Sequence, residues 1–462
     1  MLPTKRLAGI SMIAISSVLF LPNTSHAQDD VKAPPSEVLS LYDIAEAPSA
    51  DRIQNDIQTL VDFGTRHTLS ETQSETRGIG AARRWIHSEF QKISSECGGC
   101  LEVIYVSDTI QGESRIPNPT EVVSVLAIQR GSIDPNRYVM MSGDIDSRVT
   151  DPLNGTSDSP GANDNASGMA GALEAARVLS KYKFAGSIIY AGLSGEEQGL
   201  FGGEIVAEHA LANGWQIKGV LNNDMISNIT GIDGVINNST VRVFSEGTRA
   251  NETPEEARQR RFTGGEVDSP SRNLARYVKS QSDQYMTNLD VMMVYRLDRF
   301  GRGGHHRPFN KVGIPGVRIM ETHEHYDRQH QDLRQENGVT YGDTMEGVDS
   351  DYAAKLTALN AITLAGMAGA PPFPMNVEAS GAVKPSAKLT WETPSNAANL
   401  AGYRVHWRLT TEPEWTHSRF VGKVNEWEFT NLVIDNYFFG VSAVAKDGSQ
   451  TPVVFPGAAG RF

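Results

Sequence analysis

From about residue 120 to 322 the chain alternates between apolar runs of strand length and stretches with helical spacing. No other feature restricts the fold as much. The runs lie at 121–128, 138–142, 187–193, 219–222, 241–244 and 315–320, and the helical stretches at 167–182, 204–213, 271–284 and 352–368. Runs that are apolar throughout must be covered on both faces, and strands separated by helices pair in parallel. The pattern predicts an α/β fold with a mostly parallel central sheet and helices on both faces. Two helical patterns precede it: Ile53, Ile57, Leu60, Val61 and Phe63, and then Ala81, Ala82, Trp85, Ile86 and Phe90.

The positions of the acids carry the functional information. In an open α/β sheet, ligands bind beyond the carboxyl ends of the strands. One predicted strand runs into Ser142-Gly143-Asp144-Ile145-Asp146-Ser147, the next into Gly195-Glu196-Glu197-Gln198-Gly199, and a third into Asn222-Asn223-Asp224-Met225. A fourth leads to Glu321, with His323, His325 and His330 behind it. The loop Pro160–Gly168 adds Asp164. A lone acid at such a place is a turn or cap residue. Several converging on one edge repel each other unless a cation neutralises them.

These residues resemble the co-catalytic di-zinc aminopeptidases, the family that also contains glutamate carboxypeptidase-like enzymes. The resemblance runs through Pro160–Gly168, Gly195–Leu200, Asn223-Asp224-Met225, and His306-Arg307-Pro308-Phe309 with Gly313-Ile314-Pro315, and it covers roughly residues 50–370. It implies two divalent ions, zinc first, with manganese or cobalt as substitutes. Asp164 would bridge them, Glu197 and His330 would complete one, and Asp224 would serve the other. Glu196 would be the general base, and His306 would stand behind the ligands. Two such ions polarise a scissile carbonyl and acidify water, and the neighbouring carboxylate moves the proton to the departing amine. His323 and His325 read as surface residues.

One position departs from the family pattern. Where the family has His-x-Asp at the end of the first strand, this chain has Asp144-Ile145-Asp146. A carboxylate at 144 still binds metal but favours harder cations. Asp146, which in the family orients the histidine and belongs to the catalytic set, would here face another acid.

The remainder of the chain frames that centre. Lys5 and Arg6 precede an apolar run from Leu7 to Leu21, and Ser25-His26-Ala27 offers a cleavage site. This predicts a signal peptide at 1–27 and export to a periplasmic or extracellular location, with no later segment able to span a membrane. Cys97 and Cys100 are the only cysteines, which in an exported chain predicts a local disulfide. After Pro371-Pro372-Phe373-Pro374 the texture changes to short alternating runs. Trp391, Tyr403 and Tyr437 sit where a fibronectin type III-like domain places its core tryptophan and corner tyrosine. The expected organisation is a di-metal peptidase domain at 28–370 and a fibronectin type III-like β-sandwich at 371–462. The sandwich is expected to fold alone and to be dispensable for hydrolysis of small substrates.

The net charge of −13 argues against a nucleic-acid partner. The partner expected is a peptide substrate, and the oligomeric state is left open. Aminopeptidase activity is the leading expectation, while carboxypeptidase, dipeptidase and glutaminyl cyclase activities stay open. Arg260, Arg261, Arg272, Arg296 and Arg299 are candidates for a substrate carboxylate. A catalytically silent binding protein is the alternative from another class, and the presence of Glu196 speaks against it. A serine hydrolase is disfavoured because no G-x-S-x-G occurs.

Overall fold

The computed structural model describes residues 31–462, so the leader expected at 1–27 lies outside the described residues. Ala33–Phe462 forms one compact unit. Its centre is an eight-stranded sheet: β1 (Leu101–Ile110), β2 (Thr120–Gln129), β3 (Asp134–Asp144), β4 (Gly186–Leu193), β5 (Gln216–Asn223), β6 (Thr240–Phe244), β7 (Asp290–Val294) and β8 (Gly316–Met320). The spatial order is β1-β2-β4-β3-β5-β8-β6-β7. The central strands β4, β3, β5 and β8 run parallel, and so do β6 and β7. Antiparallel pairs join β1 to β2, β2 to β4, and β6 to β8. The mostly parallel sheet expected from the alternation is present, and the carboxyl ends of β3, β4, β5 and β8 share one rim.

Alternate residues of the central strands feed two separate cores. Val139, Met141, Ile188, Tyr190 and Leu221 pack with Met169, Leu173, Leu356 and Leu359 from the helices Gly168–Leu179 and Ser350–Gly369. Tyr138, Met140, Ile189, Ala191 and Val220 pack with Val206 and Ala210 of the helix Phe201–Ala212 and with Phe309. That two-sided burial explains why the strands read as unbroken apolar runs. It also fixes register, since a one-residue slip would exchange the two faces. At the end of β3 the helix comes very close. A Cβ on Gly143 would collide with the backbone of Gly168 and Met169, so only glycine allows Asp144 to lie beside that helix start.

Three elements add to the pattern read from the sequence. β7 is a short edge strand with only Val291 buried. The helix Leu39–Glu46 buries Leu41 and Ile44 alone. The helix Pro254–Thr263 buries nothing and is held by a Thr253–Glu256 capping box. Cys97 and Cys100 are bridged as expected, between the helix Gly78–Glu96 and β1.

Beyond Ala370 the chain forms two three-stranded antiparallel sheets. One orders Met375–Ser380, Ala387–Glu392 and Glu426–Phe429, and the other His417–Gly422, Leu400–Leu409 and Tyr437–Ala445. Trp391 and Tyr403 meet edge to face with ring centres 5.4 Å apart. This part is docked on the preceding sheet and helices by polar contacts. Arg276 Nε donates to Pro413 O at 2.7 Å, and Trp415 Nε1 to Asn273 Oδ1 at 3.0 Å. Arg249 Nη1 donates to Ala458 O at 2.9 Å.

Candidate metal centre

Arg66 ties the loops of the rim together. Its guanidinium is buried and donates to Ile145 O at 2.9 Å, Leu60 O at 3.0 Å, Pro160 O at 2.5 Å and Gly161 O at 2.8 Å. It joins the stretch after β3 to the loop that carries Asp164. On the far side of that loop the Asp343 carboxylate accepts from the backbone N–H of Asn163 at 3.0 Å and of Asp164 at 2.7 Å. Burial pushes the Asp343 carboxyl up to about 7.

Asp164, Glu197 and His330 meet at the centre of the rim, with one ligand atom from each within 4.8 Å of the others. His330 Nε2 lies 2.9 Å from Asp164 Oδ2 and 2.8 Å from Glu197 Oε1. Burial alone would lower the basicity of His330, but the Glu197 and Asp164 carboxylates outweigh it and lift the imidazole to about 9. Burial pushes both carboxylates up in turn, and His330 more than reverses this, holding each below its usual range. The backbone of His330 has φ 57°, a left-handed conformation uncommon outside glycine that holds the ring against the two acids. Two carboxylates aimed at one imidazole nitrogen make a place for a cation. Arg148 backs the group, with Nε donating to Glu197 Oε2 at 2.7 Å and Nη2 lying 2.7 Å from His330 Nδ1.

The other expected residues are at the rim in different settings. Glu196 is half-buried beside this group, and burial together with Glu197, Asp224, Asp144 and Asp164 raises its carboxyl well above the usual range. Asp146 faces the backbone of the following acids. It accepts from the N–H of Glu196 at 3.2 Å and of Glu197 at 3.0 Å, and from Thr68 Oγ1 at 3.2 Å. Burial lifts its carboxyl to about 6. Asp144 Oδ1 lies 2.6 Å from His305 Nδ1, and its Oδ2 accepts from Asn165 Nδ2 at 2.6 Å. Burial pushes Asp144 up to about 8. Asp224 Oδ2 lies 2.7 Å from Nη2 of the buried Arg318. Asp144 and Asp224 therefore lie at the rim but outside the group formed by Asp164, Glu197 and His330.

Glu321 accepts from Asn163 Nδ2 at 2.9 Å and from Asn228 N at 3.1 Å, and so holds the loops behind the site. His306 lies 2.8 Å through Nε2 from Leu297 O. His323, half-buried, pairs with Asp233 at 3.1 Å, and His325 is half-buried too. The candidate arginines are largely committed. Arg260 pairs with Glu252 at 2.8 Å, and Arg299 with Glu324 at 2.8 Å. Arg272 donates to Ser245 Oγ at 2.6 Å and lies over the Tyr295 ring at 3.6 Å. Arg261 and Arg296 are exposed.

Arg66, Arg148 and Arg318 carry no motif that marks them as site residues, and His305, one of the five histidines of the region with His306, His323, His325 and His330, is assigned a role by no motif. Arg318 did leave a trace: a charged residue inside the buried run 316–320 requires a buried partner. The others sit in polar loop segments where nothing distinguishes them from surface residues.

Zinc takes carboxylate oxygen and imidazole nitrogen, and Asp164, Glu197 and His330 supply those donors from three separate elements of the rim. Residues 124–350 match peptidase family M28. A probable zinc metalloprotease of Pyrenophora tritici-repentis is 43% identical over 430 residues, which span 92% of this chain and 88% of that protein. The chain belongs to peptidase family M28. A second relative, a probable zinc metalloprotease of Leptosphaeria maculans, is 42% identical over 92% of this chain and 97% of its own length. The crystal structure of the Legionella pneumophila LapA aminopeptidase shares the fold at 20% identity, with a TM-score of 0.52 over 74% of this M28 chain and 75% of that one. The M28 peptidase is thus a metallopeptidase of a zinc family, and Asp164, Glu197 and His330 fit the ion.

Proposed function

We propose that this M28 peptidase is an exported aminopeptidase, with Asp164, Glu197 and His330 holding zinc and Glu196 acting as general base. The observation that carries the reading is the meeting of those three donors, with His330 Nε2 2.9 Å and 2.8 Å from the two carboxylates, beside Glu196. Zinc bound there supplies Lewis-acid polarisation of the scissile carbonyl and a more acidic water. Glu196 takes the proton of the attacking water and returns it to the departing amine. Asp146 holds the N–H groups of Glu196 and Glu197, and so sets the direction of both side chains.

The acidic surroundings of Glu196 favour a substrate with a free α-ammonium group. Arg260, Arg272 and Arg299 are committed to internal partners, which removes three of the five candidate arginines for a substrate carboxylate. The activity named for LapA points the same way. Export rests on the basic and apolar leader with its Ser25-His26-Ala27 exit, and among the described residues no helix is long and apolar enough to cross a membrane. The fibronectin type III-like reading of 371–462 rests on the paired three-stranded sheets and the Trp391–Tyr403 contact.

Glu196→Gln should retain zinc and lose about 10²-fold or more in turnover of aminoacyl amides, the scale of acid–base catalysis. Near-normal turnover would remove Glu196 from its role. Blocking the substrate's amine by acetylation should abolish cleavage. Equal cleavage of acetylated and free peptides would rule out an aminopeptidase.

A further inference from the structure

The family resemblance implies a second ion on Asp164, Asp224 and the residue at 144. The side chains present do not fit one. Among the described residues, Asp164, Glu197 and His330 are the only metal-ligating side chains that bring three donor atoms within 4.8 Å. Both oxygens of Asp144 are engaged at 2.6 Å, by His305 and by Asn165. Asp224 Oδ2 is paired in charge with Arg318 Nη2 at 2.7 Å, without hydrogen-bond geometry. Asp224 Oδ1 and His305 Nε2 are buried without hydrogen-bond partners, but among the described residues they are not joined by a third donor in a group of three within 4.8 Å.

Arg318 is hydrogen-bonded through Nη1 alone, with Nε and Nη2 buried and without hydrogen-bond partners. It is fully buried in β8, the neighbour of β5, whose end leads to Asp224. Its Nη1 donates to Gly303 O at 2.7 Å and to Asp298 Oδ1 at 3.2 Å. A guanidinium has no neutral form at ordinary pH. A divalent ion on Asp224 would sit a few ångströms from this fixed charge, in a water-poor setting where repulsion is strong.

We propose that Arg318 takes the place of the second metal ion: its guanidinium neutralises Asp224, His305 and Asn165 hold Asp144, and the chain is a one-zinc member of M28. The inference rests on the reading of Asp164, Glu197 and His330 as a zinc site. Arg318 is a positioning residue, closed off from solvent. It keeps Asp224 fixed and supplies positive charge on the side of the rim where the second ion would supply it.

The test is a metal count on the full chain, equilibrated with excess zinc, freed of loose ion and measured by mass spectrometry. Wild type should hold one equivalent and Glu197→Ala close to none. The double variant Arg318→Met with Asp144→His frees Asp224 and restores the family's histidine, so it should hold about two. A folded double variant that still holds one would overturn the assignment to Arg318. Two tightly held equivalents in wild type would overturn the inference while leaving the zinc-site reading intact. No zinc in wild type would overturn both. Should the double variant fail to fold, cobalt-loaded wild type decides by electron paramagnetic resonance. Isolated cobalt supports the inference, and a spin-coupled pair ends it.

Discussion

Arg408, on a strand of the C-terminal sandwich, places Nη2 2.8 Å and 2.9 Å from the two carboxylate oxygens of Asp268, 140 residues earlier in the chain. Asp268 is fully buried, and Arg276 donates to it at 2.8 Å as well. A buried ion pair is neutral to stability as a whole, but losing one partner strands the other charge. The junction beyond Ala370 therefore behaves as part of one interior.

Arg408→Met should lower stability by about 1.5–3 kcal/mol, the scale of losing hydrogen bonds to a charged group, because Arg276 still pairs with Asp268. Thermal unfolding of the full chain measures it. A chain ending at Ala370 loses Arg408 and the Pro413 acceptor together, so its peptidase part should melt well below the full-length protein. Equal melting points would show instead that the sandwich is the separable module its Pro-rich entry suggests.

Arg66→Lys should be almost as damaging as Arg66→Ala. One ammonium cannot reach four carbonyls fanned around a planar guanidinium, and each buried acceptor left alone costs about 1–3 kcal/mol. Urea unfolding should show the loss. Zinc affinity should fall with it, because the Pro160–Gly161 anchor of the Asp164 loop is released. Undiminished zinc affinity would mean that Asp343 alone fixes that loop.

Asp146→Ala should reduce turnover about 10–100-fold, the usual penalty for removing support behind metal ligands. The N–H groups of Glu196 and Glu197 lose their shared acceptor, so zinc affinity should weaken along with the rate. A rate loss at unchanged zinc affinity would place Asp146 in contact with substrate instead.

His406 gives the sandwich an acid-sensitive point. It is buried with Nε2 2.8 Å from Ser442 Oγ, and burial, aided by Arg404, pushes its imidazole down to about 3. The folded state thus holds the neutral ring. The contribution is complete above the ordinary histidine value of about 6.5 and is lost as pH falls toward the folded value. Between pH 6.5 and 4.5 this amounts to about 2 kcal/mol. His406→Gln should flatten the acid side of the stability profile by that much. An unchanged slope would show that His406 does not titrate with unfolding.

The rim was legible because its acids, Asp164 in its polar loop excepted, closely follow apolar runs. Asp144 closes β3, Glu196 and Glu197 follow β4, and Asp224 follows β5. Two-sided burial writes itself into the sequence as uninterrupted hydrophobicity, and the acid that ends the run marks the edge. What surrounds those acids was not legible. Arg318 meets a partner 94 positions before it, and His305 one 161 positions before it. Such contacts are made by the packing of β8 and of a glycine-rich loop, and no local spacing reports them. β7 escaped because an edge strand pairs on one side only and needs no strong apolar pattern.

The donors for zinc come from residues 164, 197 and 330, so they are strung over more than a third of the polypeptide. No short stretch of the emerging chain can hold the ion tightly, and a metal site that exists only in the folded state acquires its ion when folding finishes. If the chain crosses the membrane unfolded, it leaves the cell interior without zinc. The activity of the mature protein would then depend on the free zinc of the compartment it enters, so that scarcity outside would produce folded, silent enzyme.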